Sequence, residues 1–293
     1  MDINFELYKV FYYAGKYQNF SQAADHLYIS QSAVSQSIKQ LETKLNTQLF
    51  VRHTKKIKFT PGGEALFKHI EQAYYAIKAG ERTIQSIQDL QYGEVKIAAS
   101  DTICKYYLLP YLKEFHQQYP HIKIHITNRP SPVCMELLKS GVVDISVVNM
   151  LNHEIDGPFE IRPFKSIQDA FIAGKAFNAL KGKKISLEAL ANYPFLLLEK
   201  NSTTRRFFDN LLEKHKVTLI PEIELDSIDL LIELTKIGLG ISYVMEDTIK
   251  DALRQDDLFI IELLDHIPTR QAVIITNRQM PVPLSVQKFL ELF

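Results

Sequence analysis

From Leu66 to Gln91, apolar or small residues alternate at spacings of four and three: Leu66, Ile70, Ala73, Ile77, Gly80, Ile84, Ile87, then Gln91. This is a heptad seam of about three and a half repeats. Thr60 is the expected N-cap and Pro61 suits the first helical position. The pattern therefore predicts one helix over 61–91, reaching about 45 Å at ~1.5 Å per residue. A lone helix of that length with a narrow apolar stripe needs a partner. A second copy of itself is the favoured one, with Leu66, Ile70, Ile77, Ile84 and Ile87 as dimerisation residues. A helix packed against its own body is the alternative. Small residues at Ala73 and Gly80 permit close approach and weaken the seam.

The helix divides the 293-residue chain into a head, 1–60, and a body, 92–293. The formal net charge is zero, which on its face disfavours a nucleic-acid partner. The charge is unevenly spread, however. Residues 1–60 carry eight bases against four acids, and no acid lies between Glu42 and Glu64. A basic head on an acidic body is a modest electrostatic footprint for nucleic acid.

Within the head, Leu7, Val10, Phe11 and Ala14 predict an amphipathic helix over 5–17. Ser21 is the expected N-cap of a short second helix, and Ser30 that of a third running to about Asn46. Val34, Ile38, Leu41 and Leu45 form the buried stripe of the third helix. Ser32, Ser35, Gln36 and Lys39 form its polar face, with Gln31 at the N-terminal end. Two helices joined by a tight turn make a helix-turn-helix, whose second helix reads base edges in the major groove. Gln pairs with adenine, Ser with several bases and Lys with guanine or phosphate. A polar stripe is equally a solvated face, and the stripe alone leaves both open. Strands at 49–52 and 58–60 flank a basic tip, so the segment reads as a wing whose Lys55 and Lys56 meet phosphates.

The head resembles the winged helix-turn-helix of LysR-type bacterial transcriptional regulators. The matching residues are Phe20-Ser21-Gln22-Ala23-Ala24, Ser30-Gln31-Ser32-Ala33-Val34-Ser35, Ile38, Leu41-Glu42, Leu49-Phe50-Val51-Arg52 and Thr60-Pro61-Gly62-Gly63. They occur in family order and spacing. The resemblance is strong over 1–65 and looser beyond. Ser32 departs from the family's common Pro, and Ser37-Ile38-Lys39 from its richer Arg content. The DNA-binding set is then Ser21, Gln31, Ser32, Ser35, Gln36 and Lys39, with Arg52, Lys55 and Lys56 on the backbone.

In the body, strands are expected at 93–99, 122–127, 143–148, 159–164, 169–174, 195–198, 221–225, 239–244 and 270–276. Helices are expected at 108–118, 131–140, 186–191, 203–215, 227–237 and 246–255. This alternation predicts an α/β domain with mainly parallel sheets. The resemblance implies a two-lobed, type 2 periplasmic-binding-protein-like effector domain. Lobe I covers about 92–164 and 267–293, and lobe II about 165–266. The whole chain is thus a multi-domain protein: an α-rich winged head, a linker helix and a two-lobed α/β body. Ligands of such lobes bind beyond strand carboxyl ends. The effector candidates there are Ser100, Thr102, Asn149, Ser202, Thr203 and Ser227, neutral donors suited to a small polar or anionic metabolite. Ser, Thr and Asn also cap helices everywhere, so each has a purely structural alternative. Arg205 and Arg206 could add charge, although a solvated helix face is their commoner use.

Other chemistries find no motif. Gly238-Leu239-Gly240 lacks the third glycine of a dinucleotide fingerprint, and His153-Glu154 does not continue to a second zinc-binding His. His116, His121 and His125 straddle a helix-to-strand junction and read as surface residues. Cys104 and Cys134 are too few for a disulfide framework and read as small hydrophobes, a redox role being the lesser reading. The N-terminus has no signal-peptide pattern, and no apolar run approaches the ~18 residues of a membrane span. The expectation is a cytoplasmic, non-enzymatic regulator without cofactor, metal site or membrane partner. By resemblance its partners are promoter DNA, a small effector, RNA polymerase and itself, as a dimer or a homotetramer. A solute-binding protein with a vestigial head is the competing class.

Overall fold

The computed structural model describes residues 3–52, 57–88, 93–150 and 157–293. Side chains of Arg52 and of residues 85–88 lie outside the description. The chain forms two compact units: residues 1–88 with 139–142 and 280–283, and the remainder.

In the first unit, α1 (Phe5–Tyr17) is capped by Asn4, whose Oδ1 accepts from the Glu6 N–H at 2.9 Å. Helix α2 (Phe20–Leu27) begins one residue before Ser21. Its cap is Asn19, whose Oδ1 accepts from the N–H groups of Ser21 and Gln22 at 2.8 and 3.2 Å. The expected cap at Ser21 is therefore corrected. Burial of Phe20 in the core draws the helix start upstream, and Asn19 satisfies the free donors. Ser30 caps α3 (Gln31–Leu45) as expected, accepting from the Ala33 N–H at 3.2 Å. Leu7, Val10, Phe11, Ala23, Ala24, Val34, Ile38 and Leu41 close a common core.

The wing pairs β1 (Phe50–Arg52) with β2 (Ile57–Phe59) antiparallel, Phe50 opposite Phe59. Glu42 of α3 anchors it, its Oε1 accepting from the N–H groups of Leu49 and Phe50 at 2.8 and 3.2 Å. Lys55 and Lys56 lie outside the described residues. Helix α4 (Pro61–Gln88) starts behind Thr60, whose Oγ1 accepts from the Gly63 N–H at 3.0 Å. A Cβ on Gly63 would stand 2.0 Å from the Leu49 carbonyl oxygen, so only glycine lets α4 begin against the wing.

The seam of α4 divides. Leu66 and Ile70, with Phe67 and Tyr74, pack half-buried against the head's own core. Tyr12 of α1 stacks on Tyr74 at 4.0 Å between ring centroids. Ile77 and Ile84 are exposed. The first half of the seam thus packs within the chain, whereas Ile77 and Ile84 of the second half stand in solvent.

The second unit holds two sheets. The first has the order β4-β3-β5-β13-β6, from β3 (Glu94–Ala99), β4 (Lys123–Asn128), β5 (Ile145–Met150), β6 (Phe159–Ile167) and β13 (Arg270–Asn277). Its connections carry the short helix α5 (Asp101–Ile103), a π-turn at Cys104–Leu108, α6 (Leu109–Gln118) and α7 (Ser131–Ser140). The second sheet has the order β10-β9-β11-β7-β12-β8. Its strands are β7 (Asp169–Gly174), β8 (Lys184–Ile185), β9 (Phe195–Leu198), β10 (Ile223–Leu225), β11 (Ile241–Met245) and β12 (Leu258–Leu263). Helices α8 (Leu187–Leu190), α9 (Thr203–Lys214), α10 (Ile228–Lys236) and α11 (Lys250–Arg254) interleave them, and α12 (Leu284–Leu290) follows β13. Strands β8 and β12 and helix α12 add to the expected set. The helix expected over 246–255 is a 3-10 turn at Glu246–Thr248 followed by α11.

The second sheet is buried on both faces. Phe171, Phe195, Leu197, Ile241 and Tyr243 point to one core with Phe208 and Leu211 of α9. Ile172, Leu196, Leu198 and Val244 point to the other with Ile228, Leu231 and Ile232 of α10. Two-sided burial is why Phe195–Leu198 reads as an unbroken apolar run. The expectation of mainly parallel sheets is corrected, because both are mixed. Strand β7 runs against β11 and β12, and β13 against β5 and β6. These two strands carry the chain between the sheets, and neither has the helical return that a parallel pair requires. The outward crossing is at Gln168, beyond the residue-164 boundary, because β6 stays paired with β13 as far as Ile167 opposite Arg270.

Candidate functional site

Two sets of polar side chains were singled out from sequence, and they occupy contrasting environments. On α3, Gln31, Ser32, Gln36 and Lys39 are exposed and Ser35 is half-buried, while Val34, Ile38 and Leu41 face inward. The Ser32 hydroxyl lies 2.8 Å from that of the cap Ser30. Lys39 makes no ion pair among the described residues. Ser21 is exposed in the first turn of α2. The face is thus presented to solvent by a helix whose other side is fully packed.

In the second unit, Ser100, Thr102, Asn149, Ser202 and Thr203 line one cleft of about 110 Å³. At roughly 10–15 Å³ per water-sized group, that holds a small organic molecule. Ser100 follows β3, Asn149 sits within β5, and Ser202 and Thr203 open α9 after β9, so both sheets contribute. Asn149 is only 8% exposed and its Oδ1 has no hydrogen-bond partner. Its Nδ2 reaches only the Met245 sulfur, at 3.9 Å. The Ser202 hydroxyl makes no capping bond, although Ser202 is the N-cap of α9. An uncapped helix N-terminus and a buried unpartnered amide are together a ready site for a polar ligand.

Ser227 does not line this cleft. Its hydroxyl caps α10, accepting from the Leu230 N–H at 3.3 Å, and it faces a separate depression with Asp229 and Lys105. Its neighbours Asp226 and Ile228 are the ones that turn toward the cleft. Sequence reasoning also passed over Asn128, Arg129 and Ser131. The rule applied to four other strand ends, applied to the end of β4, would have found them. Asn128 donates through Nδ2 to Asp101 at 3.1 Å. The rim therefore carries the carboxylates of Asp101 and Asp226 and the guanidinium of Arg129.

Arg205 is not on a solvated face. It is buried, donating to the Leu198 carbonyl at 2.9 Å, Asp209 at 2.8 Å and Glu224 at 2.9 Å, and so ties α9 to β9 and β10 behind the cleft. Arg206 is exposed. A second buried cation, Arg270, is 1% exposed and binds Asp169 in bidentate fashion, both bonds at 2.6 Å. Burial pushes the Asp169 carboxyl up, against the opposing pull of that guanidinium. Arg270 also donates to Thr204 of the cleft wall at 3.3 Å. Since Asp169 opens β7 and Arg270 opens β13, the pair staples the two crossing strands directly behind the cleft.

The π-turn supplies a second tie between the sheets. Lys105 donates to Asp229 at 2.8 Å, and the Tyr107 hydroxyl donates to Asp247 at 2.7 Å. Burial pushes the thiols up, Cys104 to about 11 and Cys134 to about 12. That leaves little thiolate for peroxide chemistry. His116, His121 and His125 are exposed, and His153 and Glu154 fall outside the described residues. Among the described residues no cluster of His, Cys, Asp and Glu could hold a metal ion, and no helix is long and apolar enough to cross a membrane.

Known proteins resemble the chain along its length. Residues 5–64 match the model of the bacterial regulatory helix-turn-helix protein, lysR family, and residues 88–293 that of the LysR substrate binding domain. A probable RuBisCO transcriptional regulator of Cyanidioschyzon merolae is 31% identical over 88% of this chain and 87% of its own. Among solved structures, a full-length OxyR variant from Pseudomonas aeruginosa superposes with a TM-score of 0.76 at 18% identity, covering 99% of this chain and 94% of that one. The regulatory domain of Synechocystis CcmR in complex with 2-PG superposes at 0.62 and 25% identity, covering 68% of this chain and 94% of that one.

Proposed function

The chain belongs to the LysR family of transcriptional regulators, and from that premise we propose how it works: as a bacterial, cytoplasmic regulator whose grip on promoter DNA answers a small anionic or polar metabolite. The head docks α3 in the major groove through Gln31, Ser32, Ser35, Gln36 and Lys39. Ser21, Arg52, Lys55 and Lys56 meet the backbone. The exposed second half of α4, at Ile77 and Ile84, pairs with a second copy, continued by Ile87. Two heads then sit on one pseudo-palindromic site. Two such dimers form the working tetramer, which engages RNA polymerase.

The observation that carries the effector reading is the cleft itself. Polar side chains from both sheets meet there, with the buried Asn149 Oδ1 unpartnered. A molecule bridging the walls is favoured by the α9 N-terminus and by Arg129, which together suit a carboxylate or phosphate. The complex of the CcmR domain with 2-PG is in keeping with this choice. Because each wall belongs to a different sheet, ligand binding changes the relation of the lobes, and so the spacing of the heads.

The test uses the full chain and a duplex spanning the DNA upstream of its own coding sequence. Salt-sensitive, sequence-preferring binding is expected, and binding equal to that of scrambled duplex overturns the DNA reading. A thermal-shift series of small carboxylates and phosphates tests the effector. One that raises Tm should also alter DNA binding. A series without any shift overturns the anion class.

A further inference from the structure

The turn between α2 and α3 carries a side chain from which the fold gains nothing. Tyr28 ends α2 in the left-handed region, with φ 55° and ψ 40°. Its N–H reaches the Asp25 carbonyl at 3.3 Å, and the Ile29 N–H reaches that of Ala24 at 3.1 Å. This closure usually places Gly or Asn at the left-handed position. A bulky residue is strained there. Helix α3 closes the same way on Asn46, which tolerates the geometry, and α1 on Gln18, whose carbonyl accepts from the Ile57 N–H of the wing at 3.3 Å. Tyr28 is 95% exposed, and its side chain makes no hydrogen bond or ring pairing among the described residues. The neighbouring tyrosines differ. Tyr12 and Tyr13 pack against Tyr74, and the Tyr17 hydroxyl lies 3.2 Å from His26.

An aromatic ring left in water, on a strained backbone, is what a binding surface keeps and a solvated turn discards. Its place limits what it meets. Ser30, two residues on, caps α3, and Gln31 and Ser32 open the helix end that faces base edges. A side chain just outside that end faces the wall of the groove, which is phosphate. We propose that the Tyr28 hydroxyl donates a hydrogen bond to a phosphate oxygen of the duplex beside the groove that α3 enters, the left-handed backbone being what aims it there. This rests on the DNA docking proposed above. Tyrosine is among the side chains that bind phosphates and so set register. Being neutral, it does so without displacing a counterion.

Full-length protein is titrated with the upstream duplex across a salt series, as wild type, Tyr28→Phe, Tyr28→Asn and Gln36→Ala, with Tm measured alongside. Tyr28→Phe should weaken binding roughly tenfold, as loss of a hydrogen bond to a charged group does. The slope of log K against log salt should stay unchanged, and all base variants of the site should weaken alike. Tyr28→Asn should weaken binding similarly and raise Tm by about 2 °C, because Asn suits the left-handed position. Undiminished affinity in Tyr28→Phe overturns the hydroxyl contact. A loss confined to one base pair overturns the phosphate in favour of a base edge. Gln36→Ala separates this inference from the reading beneath it. If it weakens binding and Tyr28→Phe does not, only the Tyr28 contact fails. If neither affects binding, the docking of α3 fails and the contact fails with it.

Discussion

The α3 surface and the interlobe cleft are both polar, yet they are built in opposite ways. On α3 the candidate side chains stand in water, apart from the half-buried Ser35, on the side of the helix that faces away from the core. In the cleft they are half or fully buried, and the supports behind them are ion pairs that hold the fold itself, Asp169–Arg270 and Arg205 with Asp209 and Glu224. Binding and stability are therefore separable in the head and entangled in the body. An exposed recognition residue costs the fold nothing when removed. A buried one either supports the fold or, like Asn149, weakens it in the absence of ligand.

Four substitutions test that contrast. The largest effect is expected from Arg270→Met, which leaves the Asp169 carboxylate buried without its counter-charge. A loss of about 3 kcal/mol and a fall in Tm on the order of 10 °C are expected. A fall of less than ~2 °C in calorimetry would show that the crossing strands do not depend on the pair. Next, Gln31→Ala should cut affinity for the preferred duplex roughly tenfold, the worth of one good base contact, with Tm within about 1 °C of wild type. A matching loss of Tm would erase the distinction from the body. Asn149→Leu should abolish the thermal shift produced by the effector while leaving apo Tm unchanged or up to about 2 °C higher, since a buried unpartnered amide is removed. An apo Tm that drops as far as in Arg270→Met would place Oδ1 among the supports of the fold. The smallest effect on folding is expected from Ile84→Lys. The side chain is exposed, so monomer Tm should hold while sedimentation shows loss of the dimer. Unchanged assembly would assign the second half of α4 to some other use.

The same contrast explains what could be read from residue order. The apolar spacing of α1, α3 and α4 is local, and a helix repeats its face every three or four residues whatever surrounds it. The α3 face was therefore assignable residue by residue. The start of α2 was misplaced because Ser21 and Asn19 are both good caps, and only the burial of Phe20 decides between them. The cleft was partly legible, because strand ends in an α/β body point to it. Ser100, Thr102, Asn149, Ser202 and Thr203 were found that way. Ser227 was found by the same rule and faces elsewhere, since one residue of rotation at a helix start turns a hydroxyl from cleft to cap.

By itself the sequence determined the two kinds of architecture, the exposed polar face of α3, the Thr60 cap of α4 and the apolar strands of the body. These follow from periodicities of two and of three to four residues and from single positions of special backbone geometry. Only the tertiary structure decided that the first half of the α4 seam packs on its own head, that the sheets are mixed, and that Arg205 is a buried support. It alone joined Asp169 to Arg270, 101 residues apart, behind the cleft. No local pattern encodes such a pair. It forms because the two strands that cross between sheets begin side by side, and each buried charge there requires the other.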